Sequence, residues 1–423
     1  MNISIESQEK KISEQDVRNI MENVFENISI TSRRVLVIIP DSTRTAPMPL
    51  FIRMFIEVLE SRVKKLGFLI ALGTHPLMSK EKIKNHYGIT NEAYFDFKNK
   101  VSIFNHQWDL SDSLTKIGKI NKEVIDEITG GLLRFEMPIT INKNIFDYDL
   151  IVICGTVFPH EIVGFSGGDK YFFPGISGPE VIDFSHWLGA LLTSKEVIGI
   201  SNTPVRTLIE KAASMITIPR IYFNMVVSEE GLAGLFVGDN KESWFSAVEL
   251  SSKLHITYKN HSYDRVLSVM PSIYDDLWTA AKGMYKVEPV ISDGGEVIIY
   301  APEINEISYT HGKLIDQIGY HVRDYYVKQW DVFKHHPWSI LGHSTHLRGS
   351  GEFDLVNKIE KPRIQVTLAT GIQRSRCEKV NLGYMDPASI SLDEWINKEE
   401  KGILFVPRAG EKLYRIKKLN MTE

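Results

Sequence analysis

The sequence predicts an α/β protein of two domains, each with a mainly parallel sheet flanked by helices, and an active site in the cleft between them. Three observations carry this. Several short runs are apolar at every position, which suits strands buried on both faces of a parallel sheet rather than strands with one wet face. Each run gives way to a polar loop and then to a helix-compatible segment. The chain has 423 residues, 43% hydrophobic and 24% charged, which is more than one hydrophobic core usually organises.

The first run, residues 33–40, is β-branched and flanked by charge; Asp41, Ser42, Thr43 and Arg44 follow, then a helical pattern over 50–59. The same unit is predicted at 68–72, at 150–154 and at 197–200. The first two of these run into Gly73-Thr74 and Gly155-Thr156. A second organisation begins near Tyr263, with a strand over 265–270 and a helix over 275–286. Gly294 and Gly295 punctuate the chain before another strand at 296–301. The expected domains are therefore 1–262, joined by a returning tail at 403–423, and a smaller α/β domain over 263–402.

A formal charge of -4 offers no broad cationic surface for nucleic acid or anionic lipid. No stretch approaches the roughly 18 consecutive apolar residues of a membrane span. Residues 1–15 are polar and mixed in charge, not an apolar signal core. The two cysteines, Cys154 and Cys377, lie far apart, and Cys154 sits inside an apolar run, as buried thiols in a reducing compartment do. A cytoplasmic protein is the expectation.

Ligands of open α/β sheets bind beyond the carboxyl ends of the strands, so polar residues there are the candidates for chemistry. Asp41, Arg44, His75 and His160 all sit just past such an end. Arginine suits a bidentate grip on a carboxylate or phosphate, and the aspartate can hold a ribose hydroxyl or orient a histidine. The plain structural alternative is a helix cap with a surface ion pair. Imidazoles such as those of His75 and His160 can accept and return protons, although a lone histidine is more often a cap or a satisfied packing residue. The densest stretch runs from Pro159 and His160 through Gly164, Gly167, Gly168 and Lys170 to Pro174 and Gly175. Gly167 and Gly168 let backbone amides approach an anion, and Lys170 adds a charge or a nucleophilic amine. His186, on a predicted helix, is either a packing histidine or a nitrogen ligand to a late transition metal.

Together these segments resemble the nickel-pincer lactate racemase family, from about Val35 to Lys282. Asp41, Ser42, Thr43 and Arg44 resemble the family's Asp-x-Thr-Arg loop. Gly73, Thr74 and His75 are similar to the segment of the first catalytic histidine, and Pro159 with His160 to that of the second. The intervals of ten residues from His160 to Lys170 and sixteen from Lys170 to His186 agree with the family pattern. The resemblance implies a nickel-pincer mononucleotide held by Asp41, Ser42, Thr43, Arg44, Gly167 and Gly168. It implies further that Lys170 is joined to the pincer and that His186 ligates its nickel. It makes His75 and His160 the catalytic bases and Arg44, Thr279 and Lys282 substrate contacts. The larger domain would then bind cofactor, the smaller would close over substrate, cofactor-biosynthesis proteins would load the chain, and an oligomer is compatible with this.

One departure bears on substrate. The family's Asp-x-x-x-Gln-x-x-Lys helix reads here from Asp275 to Lys282 with Thr279 in place of glutamine. The lysine is kept and an amide is lost, which favours a longer or polyhydroxylated acid, such as a sugar acid, over lactate. Residues 320–348, rich in aromatics and histidines, would recognise a polyhydroxy chain or serve as packing. The implied activity is inversion of the carbinol carbon of a 2-hydroxy acid by removal and return of hydride. Two other readings remain open at this point. One is a zinc hydrolase using His75, His160 and His186 with Asp41. The other is a non-catalytic protein that binds a sugar acid or the cofactor.

Overall fold

The computed structural model describes residues 2–7, 11–239 and 241–417. Its chain forms two compact units. The first comprises 1–158, 165–182 and 201–254; the second comprises 159–164, 183–200 and 255–423.

The first unit is organised by seven strands: β1 (Asn2–Glu6), β2 (Arg34–Pro40), β3 (Lys65–Ala71), β4 (Val101–Asn105), β5 (Leu150–Thr156), β6 (Arg220–Ser228) and β7 (Gly231–Gly238). Their spatial order is β1-β7-β6-β5-β2-β3-β4. The β6-β5, β5-β2, β2-β3 and β3-β4 pairs are parallel, and β7 joins β6 and β1 antiparallel at one side. Parallel pairing explains the uniform apolarity of the central runs, because both sheet faces are covered and every residue of β5 is buried. The helices α1 (Glu14–Glu26) and α2 (Met48–Leu59) bury Phe25, Phe51 and Phe55 against Phe223 of β6, whose ring lies 5.3 Å from that of Phe55 and 5.9 Å from that of Phe25. The chain steps from β2 to β3 and β4 on one side and returns to β5 on the other. Loops therefore leave β2 and β5 in opposite directions, which opens a crevice beyond their carboxyl ends.

The second unit is built on β8 (Tyr263–Val269), β9 (Ile291–Ala301), β10 (Gln365–Thr370), β11 (Gly383–Tyr384) and β12 (Ile403–Val406), in the order β11-β10-β9-β8-β12. All four pairings are parallel. The strand expected at 403 as part of a return to the first domain instead pairs with β8 in this second sheet, register Val266 to Leu404. Its apolar pattern matches the buried side of β8, and residues 418–423 of that expected tail lie outside the described residues.

A second correction concerns 197–200. Despite its β-branched content, only Val197 of this run is helical, as the last residue of the helix Ser194–Val197, and a turn at Ile198 and Gly199 follows. Gly199 at φ +76° redirects the chain there, and a Cβ on it would meet Leu413 at 2.6 Å. The helix expected over 275–286 is present as two short segments, α3 (Leu277–Ala280) and α4 (Lys282–Tyr285).

Candidate active site

In the first unit the polar groups past β2 and β3 form one bonded cluster. Asp41 is 4% exposed. One carboxylate oxygen accepts from the Thr43 amide at 3.2 Å and from its hydroxyl at 2.7 Å, while the other contacts His75 Nδ1. Burial alone would raise the Asp41 carboxyl; the neighbouring His75 and Arg44 charges and the His75 and Thr43 hydrogen bonds outweigh it and hold the group well below the usual carboxylate range. With Nδ1 donating to Asp41, the neutral His75 ring keeps its Nε2 lone pair as an acceptor, on a side chain one-third exposed. Arg44 lies with its guanidinium carbon 5.3 Å from the centre of the Phe158 ring. Of the two sequence readings of this loop, cap or orienting carboxylate, the geometry shows the second.

The glycine-rich stretch leads into a 3-10 turn, Gly168–Tyr171, that carries Lys170. Gly167 and Gly168 have φ +80° and +58°, conformations that favour glycine, and a Cβ at Gly168 would approach Trp244 Cδ1 at 3.1 Å. Arg206, 3% exposed, donates to the carbonyls of Phe165 and Gly167, the latter at 3.2 Å. Trp244 Nε1 donates to the Ser166 carbonyl at 2.8 Å. Tyr222 donates its hydroxyl to Asp169, and the Thr156 amide donates to the Tyr171 hydroxyl oxygen at 3.2 Å. Arg206, Trp244 and Tyr222 escaped the sequence reading. The available signal was an arginine at an inward position of the helix Pro204–Ala213, whose neighbours Val205, Leu208 and Ile209 are all buried.

In the second unit His160 is 5% exposed. The Ile162 amide lies 3.2 Å from its Nδ1, and Glu161 Oε2 lies 3.4 Å from the same nitrogen. His186 lies on the helix Pro179–Leu192, with Nδ1 3.5 Å from the Ser185 hydroxyl. The helix Trp338–Arg348 packs closely on it: a Cβ at Gly342 would come within 2.9 Å of the His186 carbonyl. Lys282 begins α4, its ammonium 4.9 Å from the centre of the Tyr274 ring. Thr279 turns back: its hydroxyl meets Asp276 Oδ1 at 2.8 Å, where Asp276 caps α3, so this side chain offers room rather than a hydrogen bond. Three histidines of 320–348 have protein partners. His321 meets Glu360 at 2.5 Å, His343 stacks on Trp278 with ring centres 3.6 Å apart, and His346 Nδ1 lies 2.6 Å from the Ser194 hydroxyl.

Among the described residues no group of three or more His, Cys, Asp or Glu side chains is placed to hold a metal ion. No described helix is long and apolar enough to cross a membrane.

The α/β fold places histidine and arginine past strand ends, where open sheets of this kind bind small molecules, and comparison with known proteins adds to this. The family described as "Lactate racemase N-terminal domain" matches residues 2–199. The lactate racemase of Thermoanaerobacterium thermosaccharolyticum is 24% identical over 302 residues, and that of Lactiplantibacillus plantarum 26% over 307. Each alignment covers 69% of this chain and 66% of the relative, so the chain spans a little under two thirds of their length. Among solved structures a Thermotoga maritima protein is 31% identical with a TM-score of 0.87, over 98% of this chain and 100% of that one. The lactate racemase apoprotein of Thermoanaerobacterium thermosaccharolyticum shares the fold, with a TM-score of 0.71 at 18% identity, over 96% of this chain and 94% of that one. Over residues 2–199 the chain is similar to the lactate racemase N-terminal domain, and its fold is that of the lactate racemase apoprotein.

Proposed function

We propose that the protein is an isomerase that inverts the carbinol centre of a 2-hydroxy acid, with His75 and His160 as its paired acid-base groups. The observation that carries this is the hydrogen bonding of the two imidazoles. Asp41 at Nδ1 leaves His75 Nε2 as a base, and Glu161, 3.4 Å from His160 Nδ1, can support a second proton on that ring. Inversion needs one group to take the hydroxyl proton and another to give one back, and a neutral His75 with a protonated His160 would supply both.

The carbinol hydrogen beside an ionised carboxylate is poorly acidic, so direct proton abstraction is a hard route. The nickel-pincer mononucleotide supplies the alternative, a hydride acceptor. The residues fit such a group. Lys170 is a half-buried amine on a pinned turn, Gly167 and Gly168 hold that turn at positive φ with no side chain in the way, and His186 is a nitrogen donor on a packed helix. Lys170 would carry the tether, His186 would bind the metal, and Asp41 through Arg44 with Gly167 and Gly168 would hold the nucleotide. As the hydroxyl proton passes to His75 Nε2, Arg44 and Lys282 hold the carboxylate and stabilise the charge that develops. The planar keto acid then takes hydrogen back on the other face, with the second imidazole exchanging the proton. Partner proteins that build and insert the cofactor follow from the same reading, as does a cytoplasmic location.

The acid is longer or more hydroxylated than lactate, because the Thr279 side chain is short and turned into its own cap. Chain co-expressed with the pincer-forming enzymes, assayed by chiral chromatography on enantiopure 2-hydroxy and aldonic acids, should invert the C2 centre of at least one. It should also carry a mass increment and a visible absorption band that Lys170→Ala removes. A loaded chain that inverts none of them, or near-normal turnover in His75→Ala or His160→Ala, would reject the assignment.

A further inference from the structure

We infer that Arg206 is a positioning residue for Lys170, acting through the backbone that carries it. A guanidinium is costly to bury without an anion, and it persists only where its hydrogen bonds are needed. Arg206 is 3% exposed, and its donors go to two backbone carbonyls, those of Phe165 and Gly167, with no carboxylate in hydrogen-bond contact. Its face lies 4.3 Å from the centre of the Trp244 ring, and Trp244 donates to the carbonyl between those two, that of Ser166. Three successive carbonyls are therefore held on one side by a planar fork and an indole. The Ser166 hydroxyl closes the clamp by donating to the Thr156 carbonyl at 2.8 Å and accepting from the Phe158 amide at 2.9 Å.

The residues flanking Lys170 are tied as well. Asp169 receives the Tyr222 hydroxyl, and Tyr171 receives the Thr156 amide. A positive-φ glycine pair is the kind of backbone that would sample many conformations if released, since glycine pays most entropy on ordering. The clamp removes that freedom over 165–169 and leaves one side chain, Lys170, to project from a fixed base. Only a planar side chain with two parallel donors spans both carbonyls while lying flat on an indole, so lysine at 206 keeps the charge and loses the geometry.

The inference rests on reading Lys170 as the attachment amine, but its test needs neither cofactor nor substrate. Full-length cofactor-free chain is compared with Arg206→Met, Arg206→Lys and Trp244→Phe by peptide-resolved hydrogen exchange and by competitive acylation of Lys170 with acetic anhydride, using exposed Lys122 as internal reference. We expect exchange across 166–170 to rise at least tenfold in Arg206→Met. The Lys170 to Lys122 labelling ratio should move at least threefold, and Arg206→Lys should fall between wild type and methionine. Trp244→Phe keeps the ring face and removes one donor, so it should loosen the same peptide to a lesser degree, and it decides the matter if Arg206→Met does not fold. Wild-type exchange and labelling in the folded variants would overturn the inference, as would changes that merely track the loss of global stability. A chain that racemises no acid yet shows these shifts would remove the proposed activity and leave the clamp standing.

Discussion

At the scale of single residues the site turns on which nitrogen of each imidazole carries the proton. Asp41 does for His75 what no surface carboxylate could: it is buried, held ionised, and fixed by Thr43 on its other oxygen. Asp41→Asn keeps size and the Thr43 contacts but presents an amide N–H to His75 Nδ1, which forces the proton to Nε2 and removes the base. We expect kcat to fall by roughly 10³ to 10⁴, as when an orienting aspartate is neutralised elsewhere, with KM changed only slightly. Steady-state kinetics on the loaded chain measure this, and a loss under tenfold would show that the pair does not set the tautomer. The sequence placed Asp41 and His75 just past strand ends because each follows an all-apolar run that gives way to polar residues. It left the bond between them undetermined, since that depends on the parallel register of β2 and β3, in which Pro40 pairs with Ala71.

At the scale of elements, the strands that bear the site were legible because burial on both faces leaves a simple signature. The short run at 197–200 carries the same signature and is no strand, since Gly199 at φ +76° breaks the extension. Likewise the strand at 403 was visible but its sheet was not, because pairing between strands some 140 residues apart leaves no local trace. The end of β5 shows how tightly element and site are joined. A Cβ on Gly155 would overlap the Tyr171 ring, which stands next to Lys170 and accepts the Thr156 amide. Gly155→Ala should therefore destabilise the protein by roughly 1 to 3 kcal/mol, the range for overpacking a filled core. It should also change Lys170 acylation in cofactor-free chain. Urea unfolding and the labelling assay check the two effects separately, and an unchanged midpoint would mean that Tyr171 has room to move.

At the scale of the whole molecule, stability should depend on acid in a definite order, because both units bury neutral histidines. His106 is fully buried between β4 and the loop before the His186 helix. Its Nε2 donates to the Ser177 carbonyl at 2.9 Å and its Nδ1 accepts from Asn142 at 3.1 Å, and burial pushes it down to about 4. His346 in the second unit, 3% exposed, is pushed to about 3 by burial and then by the charge of His186. In the unfolded chain both titrate near 6.5, so between that pH and their folded values the unfolded state binds more protons and stability is lost as pH falls. For His106 the full span corresponds to about 3 kcal/mol at most. Asp41, depressed in the folded state, adds stability present above about 4 and lost only below it. The decline should thus begin near pH 6.5 with the histidines and steepen below 4 with the carboxylate. Urea midpoints at pH 7.5, 5.5 and 4.5 trace the first phase. His106→Leu should lower the midpoint at pH 7.5, through its orphaned partners, yet flatten the slope towards pH 4.5. A wild-type midpoint constant from pH 7.5 to 4.5 would mean that water reaches these rings and that the burial argument is wrong.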